Sequence, residues 1–341
     1  MSEFVVGIAS DFYDSEGRTK LRALRESFLD LPETVRLVTI EHPGKAYWPG
    51  LLTGIDALVM GGSLFNGASL EGVDRLSAIC RFGVGYDNID LAACANAGVV
   101  VANAPEGVRK AMAHTAIGFV LALGHRLFDQ DRAMRTGNDW AIKHEYCGMG
   151  LVGKTLGVIG LGNIGREIVR IASVLDCEVL GYDPFAPQED SHVERVELDE
   201  LMRRSDYIIV QCALTPETRG MIGPERLALM KPTAYLINTA RGPIVDEEAL
   251  IETLQSRRIA GAALDVFAQE PIAQDNPLLT LDNVILTPHS AGWTDYYAQA
   301  TAQSVSATLA SIAAGELPTN TVNRRQLIES GVEPRYLRYS A

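Results

Sequence analysis

Along this chain, short and nearly unbroken apolar runs alternate with stretches whose apolar residues recur every three or four positions. In the first third, Phe4–Ala9, Val35–Ile40, 56–60, Ala78–Arg81 and 99–102 read as strands, with helical stretches near 17–29 and 88–97. A second series follows at Thr155–Ile159, Glu178–Tyr182, 207–211, 234–238, 260–266 and Val284–Leu286. Runs such as Tyr207-Ile-Ile-Val210 are apolar at every position, the mark of strands buried on both faces as in parallel sheets. Alternating βα units of this kind predict two doubly wound, parallel-sheet α/β domains. One long helix is expected over about 110–135, followed by the turn-prone Thr136-Gly137-Asn138-Asp139. Another is expected over 294–314, stopped by Gly315. Two long helices bracketing one series suggest a hinge, with ligands taken at the carboxyl ends of the strands.

Composition narrows the class without naming it. The chain has 341 residues, room for two domains. With 47% hydrophobic and 21% charged residues it has the make-up of a globular protein. A formal charge of −13 would repel nucleic acid phosphates and anionic membranes, so neither is expected as a partner. Five scattered cysteines with no C-x-x-C pair suit a reducing compartment rather than a disulfide framework or a zinc site, so no metal is expected. The start, MSEFVVGIASDF, carries no basic region ahead of an apolar run. No stretch approaches the roughly 18 to 20 apolar residues of a membrane helix, and the expected compartment is the cytoplasm.

The sharpest local motif is Gly157-Val-Ile-Gly160-Leu-Gly162-Asn-Ile-Gly165-Arg166. Glycine spacing alone is weak evidence, but this motif follows a predicted strand and opens a helical pattern over 164–175. Gly160 permits the tight turn, Gly162 lets backbone amides approach a pyrophosphate, and Gly165 lets helix and strand pack closely. The helix N-terminus adds favourable potential for the anion. Asp183 ends the next strand, eighteen residues past Gly165. A carboxylate there accepts hydrogen bonds from a ribose and repels a 2′-phosphate, which points to NAD over NADP.

Three later segments place polar groups just past apolar strands: Asn238-Thr239-Ala240-Arg241-Gly242, Asp265-Val-Phe-Ala-Gln-Glu270-Pro271 and Pro288-His289-Ser290-Ala291-Gly292. An arginine, a carboxylate and a histidine at strand ends suit carbonyl reduction. The arginine offers a planar fork to a substrate carboxylate. The histidine donates a proton to the carbonyl oxygen, and the carboxylate orients the imidazole and stabilises its charged form. Taken singly, each also fits a structural part: a strand-end cap, a solvated loop acid, a hydrogen-bonded loop histidine.

With these residues in order, the chain resembles the D-isomer-specific 2-hydroxyacid dehydrogenases. Phe82-Gly-Val-Gly-Tyr-Asp-Asn-Ile-Asp90, Asn103-Ala-Pro105, Leu214-Thr-Pro-Glu-Thr-Arg219, Leu264-Asp-Val-Phe267 and Thr287-Pro-His-Ser-Ala-Gly292 extend the likeness over nearly the whole length. Arg241 to Glu270 is 29 residues and Glu270 to His289 is 19, both fitting the family pattern. The resemblance implies a Rossmann cofactor domain (104–291) inserted into a flavodoxin-like substrate domain (1–103 and 292–341). It implies Arg241, Glu270 and His289 as the catalytic trio. Backbone amides of Val84 and Gly85 would hold the substrate carboxylate. Cofactor contacts would come from Gly160, Gly162, Asn163, Ile164, Gly165, Asp183, Cys212, Thr239, Ala240, Asp265 and Gly292. A homodimer built through the cofactor domains is implied, with 137–149, including Trp140, as an arm toward the neighbour. Trp140 would either pack in that interface or help close the partner's site. No regulatory domain of the serine-feedback type is expected.

Two departures bear on the substrate. His114 stands where many members carry glutamate, and Val108-Arg109 stands where an Asn-Ser/Thr pair is common. Arg109 or Lys110 could then read a polar or anionic group distal to the substrate carboxylate. The other reading is a salt bridge to Glu106 or another acid. A different class of function also stays open, a non-catalytic NAD-sensing protein of the corepressor type, against which the retained trio argues. Formate-dehydrogenase-like members carry glutamine at the position of Glu270.

Overall fold

The computed structural model describes residues 3–12, 26–27, 31–41, 44–137, 140, 142–145, 147–186 and 192–340. Most of the helix expected over 17–29 lies outside the described residues. Two compact units are present: Met1–Val108 with Trp293–Ala341, and Arg109–Gly292.

The first unit is built on five parallel strands, β1 (Phe4–Ala9), β2 (Val35–Ile40), β3 (Ala57–Met60), β4 (Ala78–Arg81) and β5 (Val100–Ala102), in the order β2-β1-β3-β4-β5. This is the flavodoxin-like order. Val5, Leu58, Met60, Ile79 and Val101 share one core. The C-terminal return joins through Asn323, which is fully buried. Its Oδ1 accepts from the Val101 amide and its Nδ2 donates to the Val99 carbonyl, both at 2.9 Å. That amide side chain continues the hydrogen bonding of a strand edge that would otherwise be left unsatisfied. The helix Asp295–Ala313 is capped by the Thr294 side chain and ends before Gly315, whose φ of +74° suits glycine.

The second unit carries seven parallel strands: β6 (Thr155–Ile159), β7 (Glu178–Tyr182), β8 (Glu194–Arg195), β9 (Tyr207–Val210), β10 (Tyr235–Asn238), β11 (Gly261–Leu264) and β12 (Val284–Leu286). Their order is β12-β11-β10-β9-β6-β7-β8, the doubly wound Rossmann arrangement with a seventh strand. Alternate residues feed two cores. Ile208, Val210, Leu236 and Ala262 face one side, while Tyr207, Ile209, Ile237 and Ala263 face the other. The period of two explains why these runs are apolar throughout.

The single helix expected over 110–135 is two helices, Pro105–Gly124 and Leu127–Gly137, bent by 58° at the break. The cause is local. A Cβ on Gly124 would stand 2.3 Å from the Tyr207 hydroxyl oxygen and 2.7 Å from the Met149 carbonyl oxygen, and Arg126 has a φ of +53°. Among the described residues no single helix is long and apolar enough to cross a membrane.

Candidate active site

The glycine turn joins β6 to the helix Asn163–Ala172. Gly160 has a φ of +97°, open to glycine at no steric cost, and a Cβ there would meet the Cys212 backbone nitrogen at 2.6 Å. A Cβ on Gly165 would lie 2.0 Å from the Gly160 carbonyl oxygen, so helix and turn touch backbone to backbone. Over Gly162 the same construction meets nothing within 4 Å. The first helical hydrogen bond runs from Arg166 N to Gly162 O at 3.0 Å, which leaves the amides of Asn163, Ile164 and Gly165 ahead of the ladder. A tight turn, an open space and a row of amides are the features that can seat a pyrophosphate.

Asp183 follows β7. Its Oδ2 accepts from the Leu161 amide at 2.8 Å, and its Oδ1 accepts from the amides of Phe185 (2.9 Å) and Ala186 (3.2 Å). The carboxylate is thereby locked to the glycine turn, with one Oδ2 lone pair left for a ribose hydroxyl. Sequence reading missed Arg195, which donates to the Asp183 carbonyl oxygen from the two-residue strand β8. Cys212 lies just past β9, and burial pushes its thiol up to about 11. The Thr239 hydroxyl donates to Gln211 Oε1 at 2.7 Å, beside the buried Ala240. These residues fit a dinucleotide.

Arg241, Glu270 and His289 come from three loops of the same unit, after β10, β11 and β12. Asn238, 1% exposed, clamps the first loop: Oδ1 accepts from the Ala240 amide and Nδ2 donates to the Arg241 carbonyl. Arg241 itself donates through Nη1 to the Ala240 carbonyl at 2.6 Å. Gly242 permits that loop to abut the next, since a Cβ would fall 1.9 Å from Phe267 C.

The third loop hangs on Asp265, which is 2% exposed. Its Oδ1 accepts from the Thr287 hydroxyl (2.7 Å) and the amides of Ser290 (3.0 Å) and Ala291 (3.1 Å). Burial raises its carboxyl above the ordinary value, against those hydrogen bonds. His289 has a φ of +52°, a conformation that costs an L-residue roughly 1–2 kcal/mol. The bond from its amide to the Asp265 carbonyl (2.9 Å) holds it there.

Glu270 Oε2 and His289 Nδ1 are 2.7 Å apart, and Glu270 Oε1 accepts from the Phe267 amide at 3.0 Å. Burial pushes the Glu270 carboxyl up. The hydrogen bonds from His289 and Phe267, then the charges of His289 and Arg241, carry it below the ordinary value. The Arg241 charge is the weakest of these influences.

Other predicted residues fall elsewhere. Val84 and Gly85 belong to the first unit, on the loop after β4. Asn103 Nδ2 donates to the Val84 carbonyl at 2.8 Å. Among the described residues neither the Val84 nor the Gly85 amide has an acceptor. Arg109 pairs with Glu167 on the helix Asn163–Ala172 (Nη1 to Oε2, 2.8 Å). Such a pair is what the second reading of Arg109, a salt bridge to Glu106 or another acid, expects. Glu167 is 5% exposed and also binds Arg170, so a covered carboxylate draws Arg109 in. His114 is exposed, and Trp140 is 66% exposed. Gly292 closes the unit against Met112, whose Sδ lies 2.2 Å from its notional Cβ. Among the described residues no group of three or more His, Cys, Asp or Glu side chains is placed to hold a metal ion.

A glycine turn of this build on a 3-2-1-4-5-6 sheet defines a nucleotide-binding Rossmann unit, and the comparisons make it specific. Residues 117–291 match the family model described as D-isomer specific 2-hydroxyacid dehydrogenase, NAD binding domain. A D-3-phosphoglycerate dehydrogenase of Methanocaldococcus jannaschii is 42% identical over 258 residues, 74% of this chain and 49% of that protein. A glyoxylate reductase of Korarchaeum cryptofilum is 38% identical over 259 residues, 74% of this chain and 78% of that one. The chain thus matches about half the length of the first and about four-fifths of the second. Among solved structures, the D-lactate dehydrogenase of Aquifex aeolicus, complexed with NAD and lactic acid, superposes with a TM-score of 0.79 at 28% identity, covering 93% of this chain and 99% of that one. The chain belongs to the D-isomer-specific 2-hydroxyacid dehydrogenase family, and NAD is its cofactor.

Proposed function

We propose that this protein interconverts a small 2-oxo acid and its D-2-hydroxy acid. The observation that carries the reading is the 2.7 Å contact of His289 Nδ1 with Glu270 Oε2, in the unit that holds the dinucleotide turn. With Nδ1 held by the carboxylate, the imidazole presents Nε2 as the proton donor. In reduction the Arg241 fork takes the substrate carboxylate. His289 gives its proton to the carbonyl oxygen as negative charge develops there, while Glu270 holds the ring by its Nδ1. Bound NADH supplies the hydride that the carbonyl carbon receives. In the reverse direction His289 acts as the base.

Gly160, Gly162, Gly165 and the amides of Asn163 and Ile164 are assigned to the pyrophosphate, and Asp183 to the ribose. Cys212, Thr239, Ala240, Asp265 and Gly292 are assigned to the walls of the cofactor site. Arg109 is assigned to the scaffold through Glu167. A homodimer in the cytoplasm completes the reading. Its supports are the exposed Leu127, Phe128, Met134 and Trp140, and five free cysteines. A non-catalytic NAD sensor draws no support from relatives named as a dehydrogenase and a reductase. A panel of 2-oxo acids with NADH, followed by absorbance and by chiral chromatography of the product, tests the proposal. Turnover to a D-2-hydroxy acid is expected. No turnover of any 2-oxo acid, or an L-product, would refute it.

A further inference from the structure

We propose that Glu247 is a positioning residue that sets Glu270, and through it His289, relative to Arg241; this rests on the catalytic reading above. Glu247 opens the helix Glu247–Gln255, six residues after Arg241, and its backbone is fixed by the Asp246 cap, which accepts from the Ala249 amide at 3.1 Å. Its half-buried carboxylate reaches across to the loop after β11. Oε2 accepts from the Ala268 amide at 2.8 Å, and Oε1 accepts from Asn276 Nδ2 at 2.9 Å.

These two contacts fall on either side of Glu270 in the chain, so one carboxylate clasps both ends of the segment that carries it. The segment needs such a clasp. Ala268, Gln269, Glu270 and Pro271 are all exposed, and apolar packing does not hold them. Consecutive amides go to different carboxylates: Phe267 to Glu270 Oε1 and Ala268 to Glu247 Oε2. A displaced Ala268 therefore moves the amide that orients Glu270. Gly242 leaves the two loops in backbone contact, so the clasp works without slack. The bland alternative is an acid in the first turn of a helix, which would favour the helix dipole and affect stability alone.

Glu247→Gln separates the two roles. The amide offers one acceptor and adds a donor, so either the Ala268 amide or Asn276 Nδ2 then faces a donor. If Glu247 positions Glu270, kcat for a 2-oxo acid falls about tenfold while NADH affinity stays as in the parent. In the Glu270→Gln background, the same change should then cost nothing further. Glu247→Asp keeps the charge on a shorter arm and serves if the glutamine variant does not fold. Equal fractional losses in both backgrounds, or a lowered melting temperature with kcat intact, would overturn the positioning role alone. An undiminished Glu270→Gln enzyme would overturn the catalytic reading and this proposal with it.

Discussion

Placing a methyl group at Gly165 and another at Gly162 should have opposite consequences for folding and the same consequence for cofactor binding. At Gly165 the new carbon would lie 2.0 Å from the Gly160 carbonyl oxygen and 3.0 Å from its carbon. Carbon–oxygen contacts relax near about 3.3 Å, so helix and turn must part by roughly 1.3 Å. The turn has little room to retreat, because the Cys212 backbone occupies the space beside Gly160 where a side chain would stand. The helix must yield, at a cost typical of overpacking, about 1–3 kcal/mol. Its leading amides move with it. Losing one charge-assisted hydrogen bond of about 1.5–3 kcal/mol weakens NADH binding by roughly 10- to 100-fold. At Gly162, with φ of −69°, alanine meets no protein atom within 4 Å. The cofactor-free protein should melt at or slightly above the parent temperature, since alanine loses less backbone entropy. Yet NADH should bind at least tenfold more weakly, because the methyl group occupies the pyrophosphate's place. Thermal melts with and without NADH, beside fluorescence titration of NADH, read both effects. Parental NADH affinity in Gly162→Ala would show that the pyrophosphate does not sit over this turn.

Two further outcomes follow from charge. The wild type should prefer NAD over NADP in kcat/KM, and Asp183→Ser should narrow the ratio, since the like charge that repels a 2′-phosphate is then gone. Steady-state kinetics with both cofactors check this, and equal use by the wild type would contradict it. Arg109→Ala should cost about 1–2 kcal/mol of stability, as Glu167 keeps Arg170 but loses one charged partner. The hydrogen bond from Arg170, followed by the charges of Arg170, Arg109 and Lys110, holds the Glu167 carboxyl below its ordinary 4.5. That stability is present above the ordinary value and lost as pH falls through the lowered one, so the variant's melting deficit should be larger at pH 7 than in acid. A selective rise in KM for phosphorylated or dicarboxylic 2-oxo acids, with no melting deficit, would restore Arg109 to the substrate.

Features that repeat with a short period, or that physics confines to one residue type, could be read before folding. Tyr207-Ile-Ile-Val210 announced a strand covered on both faces, and Gly160 and Gly165 announced backbone contacts only glycine tolerates. The order of Arg241, Glu270 and His289 was visible as spacing. Contacts across long sequence separations were not. Glu167 lies 58 residues from Arg109, and Glu247 lies 21 from Ala268. Glu247 reads locally as an ordinary first-turn acid, and Arg195 sits on a strand too short to carry a period. The bend at Gly124 escaped for a related reason. The apolar pattern runs on past it, and the Tyr207 hydroxyl and Met149 carbonyl, which leave no room for a side chain at Gly124, come from distant parts of the chain.

The central claim is that His289 delivers the proton that completes carbonyl reduction, and His289→Gln tests it most directly. Glutamine keeps a polar side chain of similar reach but has no proton to give near neutral pH. With the best 2-oxo acid from the panel, NADH consumption by wild type and variant is compared at saturating cofactor, beside fluorescence titration of NADH. The account predicts that kcat falls by roughly 10² to 10⁴ while NADH affinity changes by no more than about twofold. Turnover in the variant equal to that of the wild type would contradict it.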